Sequence, residues 1–335
     1  MQERLQNKCD QLIRNYSLLR PGNRLEYESL LAAAASMFTA ADRTVDPDRV
    51  KECKKLLKKK KGLFSNFRGI SEVVIRCKMA LARDPEEYLD NVTTVYKDLK
   101  TFFSGEQVVL AATVIVDSVS PSEFEYMSEK TKAIYHEMRG AHPLLTSEDD
   151  MPFAAIMAVM GSDPNSICAS AEEIYSDLKK NLKASMESRQ MLSHILSVYE
   201  GGNKEKCDKI CRLAKELKSS GHRLGRDRYI SILGVLAGAR VSTDELAQMV
   251  AEADDYLKQF KPFKGIFGVG TSIRRMYAVQ MVEASLSPEH SSSIAGASGA
   301  ASMISTSIEV TIITLIITYI IIASAANSAS NNSSH

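Results

Sequence analysis

Residues 167–179 read Ile-Cys-Ala-Ser-Ala-Glu-Glu-Ile-Tyr-Ser-Asp-Leu-Lys, and this stretch decides the fold. Its apolar residues Ile167, Ala171, Ile174 and Leu178 lie at positions i, i+4, i+7 and i+11, which is the spacing of one face of an α-helix. A lysine follows the last of them, as suits the negative end of a helix dipole. The stretch therefore predicts an amphipathic helix.

Similar stretches recur along the chain at a regular interval. Their equivalent apolar residues are 39 or 40 residues apart, and they are Leu99, Met138, Leu178, Leu217 and Leu257. A regular period of this size indicates stacked repeats, and units of two helices with roughly 40 to 47 residues are typical of HEAT-like proteins. The period therefore predicts an array of helix pairs.

Start signals precede these helices. Asp46, Asp84, Ser120 and Asp163 are each followed by proline, and Ser242 is followed by an acid three residues later, as at helix N-termini. A second set of helix-spaced apolar stretches comes before the caps and begins near Leu30, Val73, Val109, Phe153, Leu192, Ile232 and Met276. We therefore predict an all-α fold, a helical-repeat domain (α-solenoid, HEAT-like) over residues 1–287, with an apolar C-terminal tail.

Two further segments carry a resemblance to a known family. They are residues 221–234, Gly-His-Arg-Leu-Gly-Arg-Asp-Arg-Tyr-Ile-Ser-Ile-Leu-Gly, and residues 253–257, Ala-Asp-Asp-Tyr-Leu. With the paired helices and the small-residue tail, they resemble DUF4003, an uncharacterised family of bacteria, common in Firmicutes. The resemblance implies no activity, ligand or catalytic residue, and the Ile-rich block of this tail departs from the Ala/Ser-rich tail of the family.

Charge is nearly balanced over the whole chain but unevenly placed. The 335 residues hold 42 Lys and Arg against 41 Asp and Glu, which argues against a dedicated nucleic-acid binder. The N-terminus lacks the basic start and apolar run of a secretory signal, so we expect a cytoplasmic body with six reduced cysteines. No Lys or Arg follows Arg275, which separates an ordinary charged body from a tail of different character.

The tail divides into three parts by composition. Residues 288–303 are a Ser/Gly/Ala-rich linker, residues 304–326 a hydrophobic segment, and residues 327–335 a polar end. The seventeen uncharged residues from Val310 to Ala326 would form a helix of about 26 Å, at the lower limit for a hydrocarbon core of about 30 Å. Three hypotheses remain open: a transmembrane tail anchor at the cytoplasmic membrane, a helix docked on the body or within an oligomer, and a disordered tail.

The loop after residue 220 contains the candidate binding residues His222, Arg223, Arg226 and Arg228. Loops on rigid scaffolds often carry binding residues, and arginine binds carboxylates and phosphates through two parallel hydrogen bonds. Structural ion pairs with Glu216, Asp227 or a neighbouring unit would explain the same residues.

Three other clusters have a structural interpretation beside a functional one. Cys207 and Cys211 have the spacing of metal ligands, but they share an apolar helix stripe, which favours core packing. Residues 268–275 resemble a phosphate loop, yet no strand precedes them, which favours a loop and a helix start. The lysine-rich run 51–61 could bind a polyanion, or it could be the solvated face of a helix.

No nucleophile elbow, Walker loop or HExxH motif is present, and we predict neither catalytic residues nor a bound cofactor or metal. The leading hypothesis is a non-enzymatic helical scaffold that binds a protein or peptide partner, without sequence-specific nucleic-acid recognition. The alternative is an enzyme or small-ligand-binding protein whose site is assembled from inter-helix loops, with His142 and His222 among its residues.

Overall fold

The computed structural model describes residues 1–286 apart from residues 22, 24–27, 63–64, 69–70, 101–103, 162, 226–227 and 265–267. The α-helices in these ranges are, in chain order, α1 (Glu3–Leu19), α2 (Glu28–Ala40), α3 (Pro47–Lys60), α4 (Ser71–Leu81), α5 (Pro85–Leu99), α6 (Glu106–Ser118), α7 (Phe124–Ala141), α8 (Met151–Met160), α9 (Pro164–Asn181), α10 (Met186–Ser197), α11 (Asn203–Ser219), α12 (Thr243–Leu257) and α13 (Thr271–Ser285). A long 3₁₀ helix, Arg228–Leu236, lies between α11 and α12, and three single 3₁₀ turns cover Pro121–Glu123, Glu148–Asp150 and Lys261–Phe263. The prediction of an all-α fold is confirmed.

The helices form two concentric sets. Each member of the inner set contacts the next one along the chain, and the last member, α13, also contacts the first, α2. The members of this set are α2, α4, α6, α8, α10, the long 3₁₀ helix and α13. Consecutive members of the outer set also contact each other, and its last member, α12, contacts α1. These members are α3, α5, α7, α9, α11 and α12. Each outer helix also packs against the inner helix that follows it in the chain. The described helices therefore form a closed ring of pairs.

The two ends of the chain close this ring. The Tyr256 hydroxyl in α12 donates to the Asp10 carboxylate in α1 over 2.5 Å, and the Tyr277 hydroxyl in α13 donates to the Ser29 carbonyl oxygen in α2 over 2.8 Å. The N-terminal amine lies 3.4 Å from the Glu252 carboxylate. The predicted α-solenoid is not confirmed, because these contacts join the two ends of the array.

Burial explains why the two sets differ in sequence. The outer helix α9 buries Ile167, Ala171, Ile174 and Leu178, the stripe that its spacing predicts. Inner helices are covered on nearly all sides, so almost every residue of α8 is buried and the helix carries no charge from Met151 to Met160. The apolar stretches that precede the caps are thus the inner helices, and the charged stretches are the outer ones.

The predicted caps start the outer helices. The Asp84 carboxylate accepts hydrogen bonds from the backbone N–H groups of Glu86 and Glu87 at 2.9 and 3.1 Å, and Asp46 does the same at the start of α3. Ser242 accepts from the Glu245 N–H over 3.2 Å. Each cap satisfies amide groups that a helix start leaves unpaired, which fixes where the chain turns outward.

The inner element between α11 and α12 differs from its equivalents because it is a 3₁₀ helix. Gly234 lies so close to α10 that an added Cβ would be 2.7 Å from the Cγ2 of Ile195. The glycine therefore permits a close approach that a larger residue would block. The spacing of Ile232, Val235 and Leu236 had predicted a helix here, and all three are buried.

The predicted linker, hydrophobic segment and polar end (288–303, 304–326 and 327–335) lie outside the described residues. Within the part of the chain that is described, no helix combines the length and apolar character needed to span a membrane. The tail hypotheses therefore remain predictions.

Glu283 at the end of α13 provides a pH-dependent contribution to stability. Burial raises the pKa of its carboxyl to about 8, and Lys8 on α1 only partly opposes this shift. Because the folded state favours the protonated acid, this group costs increasing stability as the pH rises from about 4.5 to 8. We expect Glu283→Gln to raise the free energy of unfolding by up to about 5 kcal/mol at pH 9 and to change it little at pH 5, as measured by urea denaturation.

The matched control is Glu137→Gln, because Glu137 is exposed on the outer helix α7. A Glu283→Gln gain that is equal at pH 5 and pH 9 would contradict the burial argument.

Candidate binding groove

A groove of about 740 Å³ lies along the second half of α11. One side is formed by the end of α9 and the residues after it, and the loop after α11 contributes Arg223 and Gly225. The apolar residues of its lining are Leu182, Cys211, Ala214 and Ile230. The volume is in the range of small-molecule and peptide sites.

The polar lining of this groove is mainly basic. Five cations line it, against the two acids Glu216 and Asp244, and they are Lys183, Arg212, Lys215, Lys218 and Arg223. All five are exposed, and none of them takes part in an ion pair with another described residue. This differs from the first helix pair, where Lys8 in α1 is bound by Asp42, which follows α2. Among the described residues, the groove therefore combines an apolar lining with an excess of positive charge at its rim.

The loop that contributes Arg223 begins with a defined helix end. After α11, the N–H of His222 donates to the Leu217 carbonyl over 2.8 Å, and the N–H of Gly221 donates to that of Lys218. Gly221 has φ +84°, which favours glycine at this position of a Schellman motif. The turn directs the chain away from α11 and places His222 beside α12.

A buried ion cluster holds this loop in place. The Asp254 carboxylate in α12 accepts hydrogen bonds from Arg274 at 2.6 Å and Arg275 at 3.1 Å, and lies 2.9 Å from the Nδ1 atom of His222. Arg275 also donates to the carbonyl oxygens of Gly221 and Arg223 at 2.7 and 2.6 Å. One guanidinium thus connects α12, α13 and the groove loop.

The charges around Asp254 set its protonation state. Burial alone would raise the pKa of this carboxyl, but hydrogen bonds from Arg274, His222 and Arg275 outweigh burial and lower it. The carboxylate is therefore ionised at neutral pH and neutralises the two guanidinium groups.

His222, Asp254 and Asp255 also form the one group in the described ranges with three metal-ligand atoms within 4.8 Å of one another. Both oxygens of Asp254 are already bound by arginines, so a divalent cation there would face two neighbouring positive charges. The geometry favours a structural ion cluster over a metal centre.

The four candidate residues of this loop have different locations. His222 has a half-buried side chain in the Asp254 cluster, whereas Arg223 is exposed at the groove. Arg226 lies outside the described residues, and Arg228 begins the long 3₁₀ helix with a side chain that is not described. Their assignment to a binding site stays a prediction. The structure adds four groove cations from α11 and from the residues after α9, which no motif in the sequence singles out.

Residues of the other clusters lie in the core, in ion pairs or on the outer surface. Cys207 is fully buried, and burial raises the pKa of its thiol to about 12, which suits packing. Arg274 and Arg275, which follow the glycines of the phosphate-loop-like segment, bind Asp254. In the lysine-rich run, Lys60 binds Glu86 and Asp90 at 2.8 Å. Four other lysines of the same run are exposed on the outer surface, and they are Lys51, Lys55, Lys58 and Lys59.

A second, much smaller pocket lies between the starts of α8 and α10. It is lined by Asp149, Asp150 and Gln190, among other residues. The Nδ1 atom of buried His194 lies 4.0 Å from the nearest Asp150 oxygen, and burial lowers the pKa of this histidine to about 3. The pair is too far apart for a hydrogen bond, and the histidine is neutral at physiological pH.

Comparison with known proteins identifies the family. Residues 15–321 match the family model described as a protein of unknown function (DUF4003). The chain belongs to this family. The match to DUF4003 includes the groove, the ion cluster and both sets of helices from within α1 onward. Comparisons with curated proteins and with solved structures find no match. The function of this DUF4003 protein must therefore be argued from its groove.

Proposed function

We propose that this protein is a non-enzymatic binding protein that holds a partner protein in the groove along α11. The observation that carries the proposal is the combination of an apolar lining with five cations that form no ion pair with another described residue, against two acids. Exposed lysine and arginine side chains ordinarily scatter over a surface, whereas these five surround one concave site. The closed array of helix pairs, the circular counterpart of the predicted solenoid, provides a rigid support for such a site.

The alternative of an assembled catalytic or small-ligand site has less support. His142 binds Glu172 over 2.9 Å and lies against the Tyr175 ring, whereas His222 binds Asp254. These two histidines thus belong to different parts of the ring, and neither lines the two pockets described above. The small pocket between the starts of α8 and α10, with a volume of about 30 Å³, has room for little more than a water molecule.

Site-specific photocrosslinking in the native host tests the proposed function. A benzophenone amino acid replaces Lys215 in the groove, and the matched control carries it at Lys55, an exposed lysine on α3. We expect a discrete crosslinked protein from position 215 that is absent from position 55. Equal crosslinking from both positions, or none from position 215, would count against a partner site in the groove.

The tail completes the proposal. We propose that residues 304–326 tether the body to the cytoplasmic face of the membrane, because this stretch in the sequence is almost free of charge. Cell fractionation compares the full chain with a chain that ends at Ser287. The full chain should sediment with membranes and the shorter one should stay in the supernatant, whereas two soluble proteins would refute the tether.

A further inference from the structure

The charges and shape of the groove specify what kind of partner segment it accepts. We infer that its occupant is a short acidic peptide segment that also carries an apolar side chain. This inference rests on the proposed function, because it names the partner chemistry of the same groove.

The acidic character of the occupant follows from the positive rim. Lys215 and Lys218 on α11 and Arg223 on the loop have no carboxylate partner among the described residues, while Asp244 and Glu216 are the acids of the lining. Like charges gathered around one groove repel one another, and an acidic ligand relieves that repulsion. Binding should therefore weaken as salt is added, since exposed charges are screened.

The apolar requirement follows from the lining between the cations. The half-buried Cys211 and Ala214 lie on the same helix as the lysines and provide the apolar surface of the groove, whereas Leu182 and Ile230, at 7% and 5% exposure, add little to it. A purely charged chain would leave this surface in contact with water. A ligand with an apolar residue among its acids would cover it and gain hydrophobic burial.

Shape favours an extended segment over a single phosphate. The lining residues from Cys211 to Lys218 extend about 10 Å along α11, which an extended peptide covers with roughly three to four residues. The cations come from the α9 end, from α11 and from the loop, so they are spread along the groove. A single small anion would contact only some of them.

Arg275 gives the groove its fixed edge. Its guanidinium binds the carbonyl oxygens on both sides of His222 and leaves the Arg223 side chain on the groove side. The backbone that carries Arg223 is therefore held in place before a ligand binds, which lowers the entropic cost of binding.

Fluorescence anisotropy with the full chain tests the inference. The probe is a fluorescein-labelled peptide, Glu-Asp-Leu-Glu-Asp-Leu-Glu-Asp. Two matched peptides replace either the acids by their amides or the leucines by asparagine. We expect the acidic leucine peptide to bind in a salt-dependent manner and each matched peptide to bind at least tenfold more weakly.

Charge reversal in the protein locates the site. The double variant Lys215→Glu with Lys218→Glu should weaken binding of the probe at least tenfold. The control Lys55→Glu with Lys58→Glu, which makes the same charge change on α3, should change it less than twofold. Circular dichroism verifies that both variants fold.

Several outcomes would overturn the inference. The first is equal binding of the acidic and amide peptides, and the second is an equal loss of probe binding in the α3 control variant. The third is displacement of the probe by inorganic phosphate at similar affinity. The fourth is equally tight binding of a single-stranded RNA of the same charge. If crosslinking from position 215 still captures a host protein while the acidic peptide does not bind, the proposed function stands and this inference fails. If neither occurs, both fail.

Discussion

Replacing Asp254 by alanine is expected to lower the free energy of unfolding by about 4 kcal/mol. The carboxylate side chain is 2% exposed and neutralises Arg274 and Arg275 at 2.6 and 3.1 Å. The Arg274 side chain is 6% exposed, so loss of the Asp254 carboxylate leaves a buried charge whose remaining acceptor among the described residues is the Phe263 carbonyl oxygen. Urea denaturation at pH 7 measures the loss.

The matched control is the neighbouring acid. Asp255 lies next in the chain and its side chain is 65% exposed, so Asp255→Ala should cost less than about 1 kcal/mol. The pKa of Asp254 is lowered in the folded state, and its contribution is therefore complete above its unfolded pKa of about 4 and is lost as the pH falls below that value. A cost that does not diminish in acid would contradict the ion-cluster account.

Removing α1 should have a still larger effect. A chain that begins at Pro21 lacks a helix that buries Leu5, Leu12 and Leu19 and contacts α2, α12 and α13. Fully burying one leucine is worth about 2 kcal/mol, so the loss approaches the 5–15 kcal/mol that typically stabilises a whole domain. We expect this chain to show no cooperative thermal transition by circular dichroism.

The control for the deletion is Asn7→Ala, a change on the exposed side of α1 that should keep the transition within about 2 °C. If the shortened chain melts cooperatively at the temperature of the full chain, α1 does not close a ring.

Local signals in the sequence predict most of the elements but not their closure. Asp84 and Ser242 cap helices as their neighbours in the sequence indicate, because a cap depends on only three or four residues. The contact between Tyr256 and Asp10 joins residues at opposite ends of the chain. A period of 39 or 40 residues indicates that helix pairs stack. It gives no information about the angle between successive pairs, and that angle decides whether the array closes.

The candidate site was only partly predictable for a similar reason. The sequence indicates His222 and Arg223 as candidates because they are polar or charged residues in a loop. An ion pair with a neighbouring unit was one of the interpretations that the sequence left open. The partner, Asp254, lies 32 residues away and looks like an ordinary acid of an amphipathic helix. Lys215 and Lys218 likewise look like a solvated helix face, and only the position of α9 and the loop makes them part of a groove.

The closed ring is the central claim, because it joins α12 and α13 at one end of the chain to α1 and α2 at the other. Double electron–electron resonance between spin labels on ketone-bearing amino acids at Glu3 and Gln248 measures it directly. Both positions are exposed. Close to them, the side-chain amide of Gln2 donates to the Glu245 carboxylate over 3.4 Å between α1 and α12. A closed ring predicts a label separation below about 25 Å. A separation of roughly 50–60 Å, as expected when helix pairs about 9 Å apart stack in an open row, would contradict it.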